Sequence, residues 1–181
     1  MHRRANSPAG RLGRRDGGVS GPLYDVLLIA HVVAGVVGIG AIAVAGYEAS
    51  RAAALPDPAG DARVRRFFKP GVDWPGRFIF LVPALGLALL LGGDSSQVSA
   101  PWPWAGLGIW SIVAAVATAV CWPAERRAQE ALAALSNGES AGDAGANHLA
   151  DLRRACARME TGAVLVTVCF VAAVIVMVIQ P

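Results

Sequence analysis

Apolar residues in this chain gather into four long blocks, at 23–47, 76–93, 102–122 and 161–179, separated by polar, charged or Pro/Gly-rich stretches. The first block, LYDVLLIAHVVAGVVGIGAIAVAGY, holds one titratable side chain away from its ends, His31. Each block is near the length that crosses ~30 Å of hydrocarbon at ~1.5 Å per residue. The pattern predicts an all-α protein, a bundle of four transmembrane helices over 23–181. Residues 1–22 are Arg-, Gly- and Pro-rich without apolar periodicity and read as a disordered basic tail. The competing reading is an annotation extension, with translation starting near Val19.

Between the blocks the pattern changes period. In the connection 48–73, Pro56 and Pro58 break the chain, and Phe67 and Phe68 beside arginines predict a short segment at headgroup level. Inside the second block, Pro83 and Gly86 predict a kink whose freed carbonyl a neighbouring helix satisfies. Trp102, Trp104 and Trp122 bracket the third block, as interfacial aromatic belts do. In the connection 123–160, ERRAQEALAAL and HLADLRRACARM are both helical in pattern. Leu149, Leu152, Cys156 and Met159 share a face that Leu132 and Leu135 can meet. Helices 3 and 4 are therefore expected to extend as an antiparallel hairpin, with Asn147 capping the second arm.

Charge sets the expected topology. Arg51, Arg63, Arg65, Arg66 and Lys69 lie in the first connection, and Arg126, Arg127, Arg153, Arg154 and Arg158 in the third. Ten basic residues against the five of the tail put both connections, and so the hairpin, in the cytoplasm with the C-terminus outside. At 55% hydrophobic and 16% charged residues, the composition suits a chain whose solvent is partly lipid. Its basic clusters flank apolar runs, which points to anionic headgroups and not to nucleic acid. Arginine outnumbers the single lysine, Lys69, as in GC-rich bacterial proteins, so a bacterial cytoplasmic membrane is the expected location. Three cysteines without a CxxC pair give neither a disulfide framework nor a zinc site. No P-loop, GxSxG, HExxH or paired intramembrane carboxylate is present.

Candidate chemistry centres on His31. At 3.6-residue spacing it shares a face with Ala34, Gly35, Gly38, Ala41, Ile42 and Ala45, small residues that let another helix approach closely. Helix 3 carries a similar stripe of Gly108, Ser111, Ala115 and Thr118, and in the expected topology Ser111 lies near the depth of His31. A His31–Ser111 hydrogen bond is the expected pairing. It serves either as a structural tie or as a ligand or proton-relay site, since an ionisable group in a membrane helix is costly to place there. Arg63, Arg65, Arg66 and Arg77 form a candidate anionic-lipid cluster, with Arg77 otherwise a snorkelling anchor beside tryptophan. Glu160 reads as a charge at the N-terminus of helix 4 and Cys169 as a small packing residue.

The residues Leu23, Tyr24, Leu27, Leu28 and His31, followed by Gly35, Gly38 and Gly40, resemble the opening of a family of bacterial four-helix integral membrane proteins of unknown function. The helix-1 histidine is more distantly similar to the CopD and HemJ membrane families. Similarity to HemJ implies haem b at His31 with a lysine, whereas Lys69 here lies in a loop. The expected function is a non-enzymatic membrane component, a small permease or an accessory subunit, with no cofactor. Its expected partners are the lipid bilayer and a second copy or a membrane complex. The alternative is a haem- or metal-binding redox membrane protein using His31.

Overall fold

A computed structural model describes residues 21–71, 74–92, 96–137 and 142–179. The expected tail falls almost wholly outside them. The elements are α1 (Pro22–Ala54), α2 (Ala62–Phe67), α3 (Trp74–Arg77), a 3-10 turn (Phe78–Phe80), α4 (Leu81–Gly92), α5 (Ser96–Ser99), α6 (Pro101–Val116), a π-helical turn (Ala117–Cys121), α7 (Trp122–Ser136) and α8 (Gly142–Val178), with no strand among the described residues. Four helical rods are long and apolar enough to cross a membrane: α1, α3–α4, α6–α7 and α8. The protein is all-α and multi-pass.

Three of these rods run beyond the expected blocks. Pro22 opens α1, where its missing N–H costs nothing, and Asp25 and Arg51 match the helix dipole at its two ends. With 33 residues α1 is about 50 Å long, and α8 with 37 residues about 55 Å. Hydrocarbon accounts for only ~30 Å of either. The surplus of α1, α7 and α8 gathers at one end of the bundle into a head with its own core. Ala49, Ala52, Ala124, Ala128, Ala131 and Ala155 bring its backbones close, and Leu132, Leu152, Cys156 and Met159 fill it. Leu135 packs at its edge, so the face expected across the hairpin is formed by Leu132, Leu135, Leu152, Cys156 and Met159, while Leu149 stays half-buried outside this core.

The expected cap is not formed. Asn147 lies inside α8, which begins at Gly142. Phe68 is buried within the protein: Asp61 caps α2 by accepting from the N–H of Arg63 and Val64, at 2.8 and 2.9 Å. The turn this fixes drives Val64 and Phe68 into the head core.

Within the spanning part, three glycines set the helix contacts. A Cβ on Gly38 would lie 2.6 Å from the Ile79 backbone nitrogen, one on Gly46 2.3 Å from the Ala163 Cβ, and one on Gly162 2.6 Å from the Cys121 Sγ. Ile42, Ile79, Val113, Ala117, Ala163 and Val166 close around these points. Both internal prolines are accommodated locally. Pro83 has no N–H for the Ile79 carbonyl, and Trp110 Nε1 donates to that oxygen at 2.8 Å. The rod tightens into a 3-10 turn just before α4 without interruption, while Gly86 sits in regular helix. Pro123 follows the wide π turn, which makes room for its ring within a rod that stays continuous to Ser136.

Candidate functional site

His31 sits two turns into α1, half-buried on the face that meets α4. Its Nδ1 lies 2.9 Å from the Val82 carbonyl oxygen. A carbonyl only accepts, so Nδ1 donates in this bond and Nε2 is the ring nitrogen left outside it. Gly86 makes the approach possible, since a Cβ there would fall 3.1 Å from His31 Cε1.

Ser111 is not the partner of His31. It is exposed, and its hydroxyl donates to the Leu107 carbonyl one turn back at 2.8 Å. Thr118 does the same to Ala114. A hydroxyl bonded to its own helix needs no second helix, so this stripe is free to face outward. The buried face of α6 is carried instead by Val113, followed by Ala117 and Cys121 in the π turn. Trp104, 58% exposed, continues the outward stripe, so Trp104, Gly108, Ser111, Ala115 and Thr118 form an uncovered seam at four-three spacing.

The four arginines of the candidate lipid cluster do not act together. Arg63 pairs with Glu48, the one buried charged side chain among the described residues, at 4% exposure. Arg51 links Glu48 to Asp61, at 3.8 and 3.5 Å. Glu48 Oε2 and Arg51 Nη1 are buried without a hydrogen bond and face each other, so charge alone joins them there. The N–H groups of Val64 and Arg63, with the nearby arginines, hold the Asp61 carboxyl below its usual range. The Glu48 carboxylate, first by hydrogen bond and then by charge, pushes the Arg63 guanidinium up. This network staples the first connection to α1. Arg65 and Arg66 remain exposed on α2. Arg77 lies over the Trp122 ring, 5.9 Å from its centroid, and Phe80 packs between Trp122 and Trp110. Its anchor is thus the tryptophan of another rod.

Glu48 lies one residue beyond Tyr47, where the apolar block ends, so block length alone does not place it in the first helix. The signal was there: Arg51 follows at helical spacing, and the apolar pattern continues through Ala49 and Ala52. Glu160 stands mid-helix in α8 and accepts from the Ser50 hydroxyl at 3.1 Å. Cys169 is half-buried at the edge of the membrane core. On the head, Arg127, Glu130, His148, Asp151, Arg154 and Arg158 line an open cleft of about 450 Å³, with Arg154 paired to Asp151 at 2.9 Å.

The donor set bears on haem and metals. Among the described residues no three His, Cys, Asp or Glu side chains come together as metal ligands. His31 offers one strong donor, Nε2, and His148 belongs to the head at the other end of the bundle. The antiparallel register of α1 and α8, set where Gly46 meets Ala163 and Ser50 meets Glu160, carries Met177 to the level of His31. Its side chain is 41% exposed, and the imidazole turns toward α4. The fit is to one ligand, short of the two that a haem bundle ordinarily supplies. In comparisons with protein-family models, curated proteins and solved structures, the chain matches none.

Proposed function

We propose that the chain is a non-enzymatic accessory subunit of an assembly in the bacterial cytoplasmic membrane. The observation that carries this reading is the outward seam of Trp104, Gly108, Ser111, Ala115 and Thr118. Small and weakly polar residues at four-three spacing are what membrane helices use to approach each other closely, and lipid gains nothing from them. The three glycine contacts inside the bundle work by the same packing. The occupant of the seam is a helix of another membrane polypeptide, and the long head is its partner surface beyond the bilayer. The ten basic residues of the two connections favour a cytoplasmic head and an external C-terminus.

The test is native gel migration in mild detergent. Replacing Gly108 and Ala115 by Leu fills the seam without touching the interior, because a Cβ on Gly108 meets open space. The wild-type chain should run within a heavier assembly and the double variant alone. Exchange of differently tagged copies would mark the partner as a second copy, and migration unchanged by the two leucines would overturn the reading.

The His31 tautomer favours a second reading, a haem- or metal-binding redox protein. An imidazole that donates from Nδ1 to a backbone carbonyl presents Nε2 as ligating histidines do. When bound, such a group would supply one-electron chemistry; this chain's part is to hold and orient the ring. An absorption spectrum of detergent-purified protein separates the two. A Soret band lost in His31→Ala would sink the accessory reading, and a colourless, metal-free protein that tolerates the substitution would sink the redox one.

A further inference from the structure

Where the spanning part meets the head, a groove of about 490 Å³ opens along α1, within the size range of small-molecule sites. Its wall is the outer face of α1. Val37 and Val44 stand at its sides, and Gly40 leaves a gap between them, since a Cβ there would meet nothing within 4 Å. Its polar lining is contributed by Lys69 from the first connection and by Glu125 and Gln129 from α7. Gln129 Nε2 donates to Glu125 at 3.4 Å, which orients the carboxylate. Glu125 also lines a small gap with Ile42, Ala45 and Gly46, so it lies at the level where α1 passes from apolar to polar sequence. From there the wall runs seven residues toward the bilayer centre, about 10 Å. The groove is thus apolar along α1. Among the described residues its lining carries one cation, Lys69, and one anion, Glu125, near the level where α1 passes from apolar to polar sequence.

We infer that this groove binds a single phospholipid whose headgroup carries both a phosphate and a primary ammonium. The phosphate meets Lys69, the ammonium meets Glu125 and Gln129, and the upper part of one acyl chain lies in the gap at Gly40. Charge complementarity selects the zwitterion. An anionic headgroup would bring its charge toward Glu125, and a choline headgroup cannot donate a hydrogen bond to the carboxylate. Lysine suits the phosphate side, being a compact charge on a stem that reaches the headgroup plane from apolar surroundings. The site is separate from Arg65, Arg66 and the Glu48 network, and it stands whether or not the accessory reading does.

The full chain, purified in detergent, is incubated with phosphatidylethanolamine, phosphatidylcholine and phosphatidylglycerol of matched acyl chains and examined by native mass spectrometry. One phosphatidylethanolamine should be retained in preference to the other two, on the order of fivefold, the effect of about one interfacial charge. Lys69→Ala should reduce its retention by a similar factor. Gly40→Leu fills the gap and should reduce retention of all three lipids, its fold checked by circular dichroism. Glu125→Gln should bring phosphatidylethanolamine down to the level of phosphatidylcholine. Equal retention of the three lipids, preference for phosphatidylglycerol, or retention indifferent to both Lys69→Ala and Gly40→Leu would overturn the inference.

Discussion

Replacing Gly46 by alanine tests how the bundle is held. The added Cβ would sit 2.3 Å from the Cβ of Ala163. Carbon atoms rest at about 3.5–4.0 Å, so the overlap exceeds 1 Å. Relief by a rotamer change is blocked, because neither methyl has a rotatable bond to a heavier group. Behind the contact lie the Met159 carbonyl oxygen and the Glu160 Cα, at 3.6 and 3.7 Å, which are backbone. The helices α1 and α8 must therefore move apart, loosening Ile42 and Val166 on either side. Overpacking of this kind costs about 1–3 kcal/mol, and rigid backbone on both sides favours the upper half. Gly40→Ala is the control on the same helix, since its Cβ meets open space. Helix propensity there favours alanine by up to ~1 kcal/mol, so the control should be neutral or slightly stabilising. Ala163→Gly in the Gly46→Ala background removes the opposing methyl and should restore most of the loss. Unfolding by SDS titration in mixed micelles, followed by circular dichroism, reads all three. If Gly46→Ala unfolds within about 0.5 kcal/mol of Gly40→Ala, a margin typical of uncoupled surface changes, the close approach is not what holds α1 to α8.

Other consequences can be measured on the same preparation. His31→Ala removes one polar tie between α1 and α4 and should cost about 0.6 kcal/mol, the average for interhelical hydrogen bonds in membrane proteins; a loss above ~3 kcal/mol would point to a bound group. Trp110→Phe should cost about 1 kcal/mol because the Ile79 carbonyl loses its donor, and much less in a Pro83→Ala background, where the restored N–H serves that oxygen. For Asp61 the folded carboxyl titrates below the ordinary value of 3.8, so its contribution is complete above that value and is lost as pH falls through the folded one. Amide exchange at Arg63 and Val64 should accordingly speed up at acid pH beyond the intrinsic change, and Asp61→Asn should keep the cap and abolish that dependence. Alkaline phosphatase fused at Pro181 should be active, and activity confined to fusions in the 123–160 connection would reverse the proposed orientation.

Much of this architecture could be read from spacing. The inward face of α1 was legible because Ala34, Gly35, Gly38 and Ile42 are small or branched at helical intervals, and the structure buries all four. The hairpin face was legible for the same reason. What spacing does not carry is which of two small-residue faces a chain uses for itself. On α6 the stripe through Ser111 has the composition of an interior face, yet its hydroxyls are satisfied within their own helix, and Val113 with Ala117 goes inside. The partner of His31 was hidden for a related reason: it is a backbone carbonyl, exposed to the ring by the missing side chain of Gly86, and carbonyls leave no mark in a sequence. Helix ends were misjudged where charge was equated with loop. Glu48 and Arg51 continue α1 because each is neutralised by a neighbour, whereas the extension of the third and fourth rods was legible in the helical patterns of ERRAQEALAAL and HLADLRRACARM.

The claim that the outward face of α6 receives another polypeptide is tested most directly by photocrosslinking in living cells. A benzophenone amino acid at Ser111, on the seam, is compared with one at Val171, exposed on α8. A discrete adduct with another membrane polypeptide is expected from Ser111 and none from Val171, and it should be lost when Gly108 and Ala115 are replaced by Leu. An uncrosslinked chain at Ser111, or the same adducts from both positions, would contradict the claim.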